Sequence, residues 1–246
     1  MNAELLMDKS TAYFVSQCRN RVAHLPREGA GLLRPAVTIS HQTGAGAPEI
    51  AERLAISLQK PDFAGDESWS VFNHQIIEMA LAETHWPKRV AGKITEEKRP
   101  FFEELIDDVL DLQPPSWVFV PQLVETIRRL ATAGHAILVG HGATVVTAKL
   151  TNVFHVRLTG SLDRRIGRVQ KLKNLTPKAA ANLIRTEDRK REKFLKAHFH
   201  AHLENELLYD LAINTDRVSS SDAVALISEG AQRFFYGLGR VAAVAD

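Results

Sequence analysis

A chain of 246 residues, 45% hydrophobic and 24% charged, can bury one core with an excursion or two small cores, and it is too apolar for a disordered segment. Its 31 basic and 29 acidic side chains leave a net charge of +2, which gives no ground for a nucleic-acid partner. One cysteine, Cys18, excludes an internal disulfide and a cysteine metal site; no stretch approaches the roughly 20 apolar residues of a membrane span, so no membrane contact and a cytoplasmic location are expected.

Residues 1–35 read as a separate N-terminal helical extension. Leu5, Leu6, Tyr13, Phe14, Val15 and Val22 line one face of a helix ending near His24, and Pro26, Gly29, Gly31 and Pro35 break the pattern. Such a helix packs either on the core or on a second subunit, which makes the extension a candidate homo-oligomer contact.

From Ala36 to Leu58 an apolar run ends in a glycine turn that opens into an amphipathic pattern, predicting strand, loop and helix. Ile50, Leu54, Ala55 and Leu58 recur at helical spacing, Pro48 suits the first helical turn, and Glu49 favours the positive end of the helix dipole. The first N–H groups of such a helix have no internal partner, and glycines let an anion approach them, so His41, Thr43, Gly44, Ala45, Gly46 and Ala47 form a candidate phosphate site. Anchored on Gly46, the phosphate-loop pattern G-x-x-x-x-G-K-[ST] asks for glycine at position 41, lysine at 47 and serine or threonine at 48. The sequence supplies His41, Ala47 and Pro48, which keeps the backbone cradle and drops the side-chain chemistry. A plain strand-to-helix turn is the other reading.

Trp69 to Phe72 then predicts a short strand, and Asn73 a helix cap before a run with Ile76, Ile77, Ala80 and Leu81 inward. Residues 73–113 form the expected helical excursion, with Phe101, Phe102, Leu105, Ile106, Val109 and Leu110 on a helix of their own. A further helix ends at Gly134, and His135 to Gly140 is a strand followed by a second glycine turn. Val153 to Leu158 is a strand, Ser161 caps a helix, Thr176-Pro177 starts a longer one, Tyr209 to Asn214 is a buried strand, and Ser221 opens the last helix. Five apolar strands alternating with helices predict a three-layer α/β/α fold around a five-stranded parallel sheet, with ligands at the carboxyl ends of the strands.

Between residues 175 and 205 lies a cationic stretch in which Arg185, Arg189 and Arg191 fall within two helical turns. Phosphoryl transfer needs fixed positive charge around the equatorial oxygens, which arginine supplies. A solvated helix face is the competing account, with Glu187, Asp188 and Glu192 as pairing partners. His198 and His202 share a helix face by spacing, with His200 and Glu204 beside them, but further ligands are lacking nearby, so no metal site is expected there.

The segment T-I-S-H-Q-T-G-A-G-A-P-E-I-A-E-R-L-A resembles the opening of cytidylate-kinase-like proteins, whose loop commonly reads I-S-R-x-x-G-S-G-G-x-x-I-A. F-N-H-Q-I-I, A-I-L-V-G-H-G-A, N-V-F-H-V-R-L-T-G-S-L-D-R-R-I-G-R-V, R-T-E-D-R-K-R and Y-D-L-A-I-N-T-D-R-V follow in the family's order, over about residues 36 to 230. The resemblance implies a P-loop NTPase fold of the nucleoside-monophosphate-kinase type over residues 36–240, using ATP and Mg2+. It implies ATP phosphates at Gly44 to Gly46, a base-binding loop at Asn214, Thr215, Asp216 and Arg217, an arginine-bearing lid at Arg185 to Arg191, and Arg164, Arg165 and Arg168 where the family also carries arginines. On the same footing Asn73, Arg164 and Arg168 are acceptor-side candidates, and His141 joins the lid arginines as a catalytic candidate.

The departures fall in one place. His41 and His141 stand where the family carries arginine, Asn73-His74 replaces an Asp-Lys pair, and Pro48 removes the usual magnesium ligand. Histidines are only partly charged at neutral pH, so activity is expected to rise as pH falls from about 8 toward 6. The expected function is transfer of the ATP γ-phosphoryl group to a small acceptor, CMP or dCMP by resemblance; the alternative is a catalytically silent nucleotide-binding regulator.

Overall fold

A computed structural model describes residues 34–59, 68–83 and 116–242. Residues 1–33 of the N-terminal extension and most of the excursion, including residues 101–110, lie outside the described residues. Within them the order is β1 (Ala36–His41), α1 (Ala47–Leu58), β2 (Ser70–Phe72), α2 (Gln75–Glu83), α3 (Ser116–Ala133), β3 (Ala136–Val139), α4 (Ala143–Val146), β4 (Val153–Thr159), α5 (Leu162–Lys173), α6 (Pro177–Phe199), β5 (Leu211–Asn214) and α7 (Ser220–Ala242).

The five strands form one parallel sheet in the order β2-β3-β1-β4-β5. Ile39 pairs with Val139 on one side and Val156 on the other, which places β1 at the centre. Alternation along the strands divides the core into two layers. Val37, Ile39, Val139, Val156 and Leu158 pack against Ile50, Leu54 and Leu58 of α1 and Ala223 and Ile227 of α7. On the opposite face Ala36 and Leu138 pack against Ile76 and Ile77 of α2, Phe119, Leu123 and Ile127 of α3, and Ala143 of α4. Ile50, Leu54 and Leu58 are almost fully buried, and each contributes about 1.5–3 kcal/mol through burial. Because α1 leaves β1 on one face and α4 leaves β3 on the other, a crevice opens between adjacent strand ends.

Three local expectations change. β5 is an edge strand: among the described strands it pairs with β4 alone, and Ala212 and Asn214 are exposed. A 3-10 turn at Glu206–Leu208 takes up the residues before it. Asn73 precedes α2 by two residues instead of adjoining its first turn, and accepts from the Ile76 N–H through its main-chain carbonyl. His198 and His202 do not share a helix face, since α6 stops at Phe199 with His200 in a left-handed cap.

A glycine turn under an arginine-bearing helix

The loop after β1 is shaped by two glycines in the left-handed region, Gly44 at φ 83° and Gly46 at φ 90°. A Cβ on Gly44 would lie 2.9 Å from the Arg165 carbonyl oxygen, so this position excludes any side chain. Gly46 is the N-cap of α1, no side chain caps the helix there, and Gly46, Ala47 and Pro48 line the crevice, so the start of the helix borders it without a side-chain cap.

Above the turn is a cleft of about 680 Å3. His41, Thr43, Gly44, Gly46 and Ala47 form one wall, Asn73 and the turn Gly140–Gly142 another, and Arg189, Lys190, Arg191 and Phe194 of α6 the roof. The crevice therefore gathers most of the candidate phosphate residues, together with Asn73, His141, Arg189 and Arg191. Ala45 is buried beneath the turn. Arg185 and Arg164 are exposed and outside the cleft lining.

Asn214, Thr215, Asp216 and Arg217 are also outside that lining. They brace the next layer. Arg168 donates to the Thr215 hydroxyl at 3.0 Å, to the Thr215 carbonyl oxygen and, at 3.4 Å, to the Gly44 carbonyl oxygen. Asp216 accepts from the Ser161 N–H at 2.9 Å, and its hydrogen bonds to Ser161 hold it below the usual carboxylate range.

Two residues to which the sequence assigned no site role organise it. Asp188 Oδ1 accepts from the Thr43 N–H at 2.8 Å, and its Oδ2 accepts from Arg165 at 2.7 Å. The buried Arg165 also donates to the carbonyl oxygens of Thr43 and Gly160, at 3.1 and 3.0 Å. Arg191 donates to the His41 carbonyl oxygen at 2.7 Å, to the Thr43 hydroxyl at 3.3 Å and to Asp188 at 3.3 Å. Burial works against the Asp188 charge, but the Thr43 N–H and the Arg191 and Arg165 guanidiniums outweigh it and hold this carboxyl below its ordinary range. The charge alternation R-T-E-D-R-K-R carried a hint of Asp188 only as a partner within its own helix; its reach across to Thr43 is a tertiary contact.

The histidines do not take over the charge of the family's arginines. Burial first, and Arg191 second, push His41 down to about 3, and the same two causes hold His141 well below its ordinary value. Both shifts favour the neutral ring, and so run against the expectation that cationic histidines serve an activity rising as pH falls from about 8 toward 6. Behind them, Arg157 is buried on β4, donates to Ser40 Oγ at 2.8 Å, and lies 5.7 Å from the Tyr209 ring centroid.

A magnesium ion finds little protein ligation. Position 48 is proline, Asp188 is committed to two guanidiniums, and no group of three or more His, Cys, Asp or Glu suited to a metal occurs among the described residues. An anion fits better, given the uncapped helix start and the arginine-bearing roof.

A parallel sheet with a glycine turn between its first strand and first helix, opening on a crevice at the strand ends, defines a P-loop-type α/β protein of kinase-like, nucleotide-binding fold. The chain belongs to the cytidylate kinase-like family, whose model matches residues 36–217. It is similar in structure to an uncharacterized protein from Eubacterium ventriosum, at 15% identity and a TM-score of 0.59, covering 81% of this chain and 99% of that one. A gluconokinase from Sinorhizobium meliloti gives 11% identity and a TM-score of 0.46 over 85% of this chain and 97% of that one. A segment of 99 residues is 27% identical to part of a uronate isomerase from Corynebacterium glutamicum, spanning 40% of this chain and 19% of that enzyme. No described helix is long and apolar enough to cross a membrane.

Proposed function

We propose that this protein binds a nucleotide through its phosphates at residues 43–47 and transfers the γ-phosphoryl group of ATP to a small acceptor, CMP or dCMP by family likeness. The observation that carries the reading is the uncapped start of α1 behind Gly46, facing a cleft roofed by Arg189 and Arg191. Main-chain N–H groups and guanidiniums are the donors that a phosphate needs, and they act without a lysine at position 47. Of the two groups on the opposite wall, Asn73 would serve the acceptor side and His141 would join the lid arginines at the reacting phosphoryl. Mg2+ would arrive on the ATP phosphates instead of on a preformed protein site. The reading places the base near Asn214–Arg217, Arg168 behind the phosphate turn, where it reaches the Gly44 carbonyl oxygen, and residues 1–35 as an appendage to a kinase-like unit at 36–240.

A second reading, a silent nucleotide-binding regulator, is favoured by the surroundings of His41 and His141, where desolvation and then Arg191 disfavour the charge that the family's arginines would carry. Each lost contact to a transferring phosphoryl costs about 100-fold in rate. A coupled ADP-release assay with ATP, magnesium and each nucleoside monophosphate separates the two. Turnover with one acceptor well above ATP hydrolysis supports the kinase; ADP binding by calorimetry with no turnover supports the regulator; absence of both removes the nucleotide from the proposal.

A further inference from the structure

We propose that Asp188 is an internal competitor for the nucleotide phosphate, a latch in which a carboxylate of α6 occupies the donors that an incoming phosphate would use; this rests on the nucleotide-binding reading above. A carboxylate and a phosphate ask for the same partners, namely a main-chain N–H at a helix-opening turn and a planar guanidinium. Asp188 holds both kinds. Its Oδ1 accepts the Thr43 N–H at 2.8 Å, its Oδ2 accepts Arg165 at 2.7 Å, and Arg191 approaches Oδ1 at 3.3 Å.

The surroundings make the arrangement a latch. Arg191 reaches down to the His41 carbonyl and the Thr43 hydroxyl, so the same helix that carries the carboxylate is tied to the turn at two further points on or beside it. Arg165 and Arg191 are largely withdrawn from solvent, with side-chain exposures of 9% and 13%, and their charge is met by Asp188. A phosphate entering at Thr43 must either displace this carboxylate or bind beside a like charge, and both lower its affinity. Displacement leaves the two guanidiniums facing the phosphate, so the latch sets a threshold for nucleotide and exchanges one anion for another. Binding and movement of α6 are then linked, because nucleotide favours the state in which Asp188 has left the turn.

The test is calorimetric titration of the full chain, wild type, Asp188→Ala and Asp188→Asn, with ADP and separately with inorganic pyrophosphate, alongside the melting temperature with and without ADP. The latch predicts that both variants bind both probes about 10- to 100-fold more tightly than wild type, the range set by losing a charge-assisted hydrogen bond from the competing state. It also predicts a lower melting temperature without ligand and a larger rise on adding ADP. An asparagine side chain keeps the outline of aspartate without its charge, which lets Asp188→Asn decide the matter where Asp188→Ala does not fold. Wild-type binding with equal or weaker binding in the variants overturns the latch and leaves the nucleotide reading standing. No binding of either probe by any of the three proteins overturns both.

Discussion

Arg191 donates a 2.7 Å hydrogen bond to the main-chain oxygen of His41, joining the middle of α6 to the end of the central strand. The same guanidinium lowers the basicity of the His41 ring, after burial itself. One side chain therefore fixes the roof of the cleft and keeps the histidine below it neutral. Arg189, two residues earlier, lines the cleft while remaining exposed. Neighbouring arginines thus have different tasks, and substitution separates them. Arg191→Ala should destabilise the protein by about 2–4 kcal/mol, because it removes three charged hydrogen bonds and strips Asp188 of a partner. Arg189→Ala should leave stability within about 0.5 kcal/mol while weakening ADP binding or turnover. Chemical denaturation of both variants, paired with ADP titration, checks this; equal stability losses would place both arginines in the scaffold.

Acid should weaken the fold through His41 and His141. Their folded-state pKa values lie below the unfolded value near 6.5, so below about pH 6.5 the unfolded chain binds more protons and stability falls as pH falls, for His41 down to about pH 3. The slope is up to about 1.4 kcal/mol per pH unit for each histidine. Asp188 has the opposite chemistry and the same direction: its depressed pKa contributes stability above its unfolded value of about 3.9, lost as pH drops through the folded one. Melting temperatures of wild type and His41→Asn from pH 8 to 4.5 should diverge in slope below about 6.5. Parallel curves would show His41 titrating normally.

His41→Arg, the residue the family pattern suggests, is predicted to destabilise. It adds a permanent cation beside Arg191 and within reach of Arg157, both already acting on His41. A drop of several degrees in melting temperature is expected, relieved by ADP or pyrophosphate if the new charge meets phosphate. A stable variant with unchanged binding would show the arginine escaping to solvent.

The framework was legible because it rests on local signals. Apolar runs of four to seven residues, the Ser161 and Thr176 caps and the glycine at the N-cap of α1 each act within a few residues, and each appears where periodicity and capping chemistry put it. The edge position of β5 was hidden, since Leu211 and Ile213 read as buried whether one neighbour or two cover them. The site was legible as a turn and illegible as an electrostatic assembly. Nothing near Thr43 announces that its N–H is taken by a carboxylate 145 residues away, and nothing near His41 shows that burial and Arg191 will hold it neutral. Position in the chain reveals a histidine's presence; its charge depends on residues that only folding brings together.

The glycine turn gives a contrast between two substitutions with the same backbone cost. Gly44 and Gly46 both occupy φ values that cost an ordinary L-residue about 1–2 kcal/mol. At Gly46 a Cβ meets only the Ile50 methyl at 3.8 Å, whereas at Gly44 it presses on the Arg165 main-chain oxygen and, at 3.0 Å, on Val169. Gly44→Ala should therefore lower the melting temperature well beyond Gly46→Ala, which should lose about 2–8 °C. Equal losses would indicate that α5 yields to the added methyl.

Pro48→Thr tests whether the start of α1 faces phosphate. Position 48 is exposed in the first turn, so the change should cost less than about 0.5 kcal/mol, and it adds two groups that proline lacks: an N–H with no intrahelical partner and a hydroxyl able to approach a metal ion carried by the nucleotide. If ADP phosphates lie at residues 43–47, the N–H alone should tighten ADP binding without magnesium by a few-fold, about 1 kcal/mol. The hydroxyl should add a further gain visible only when magnesium is present. Four titrations, wild type and variant with and without the metal, resolve the two contributions. A gain in both conditions that is larger with magnesium supports phosphate at this turn with the metal beside position 48. A metal-independent gain keeps the phosphate and moves the ion elsewhere, and identical affinities in all four remove the nucleotide from the start of α1.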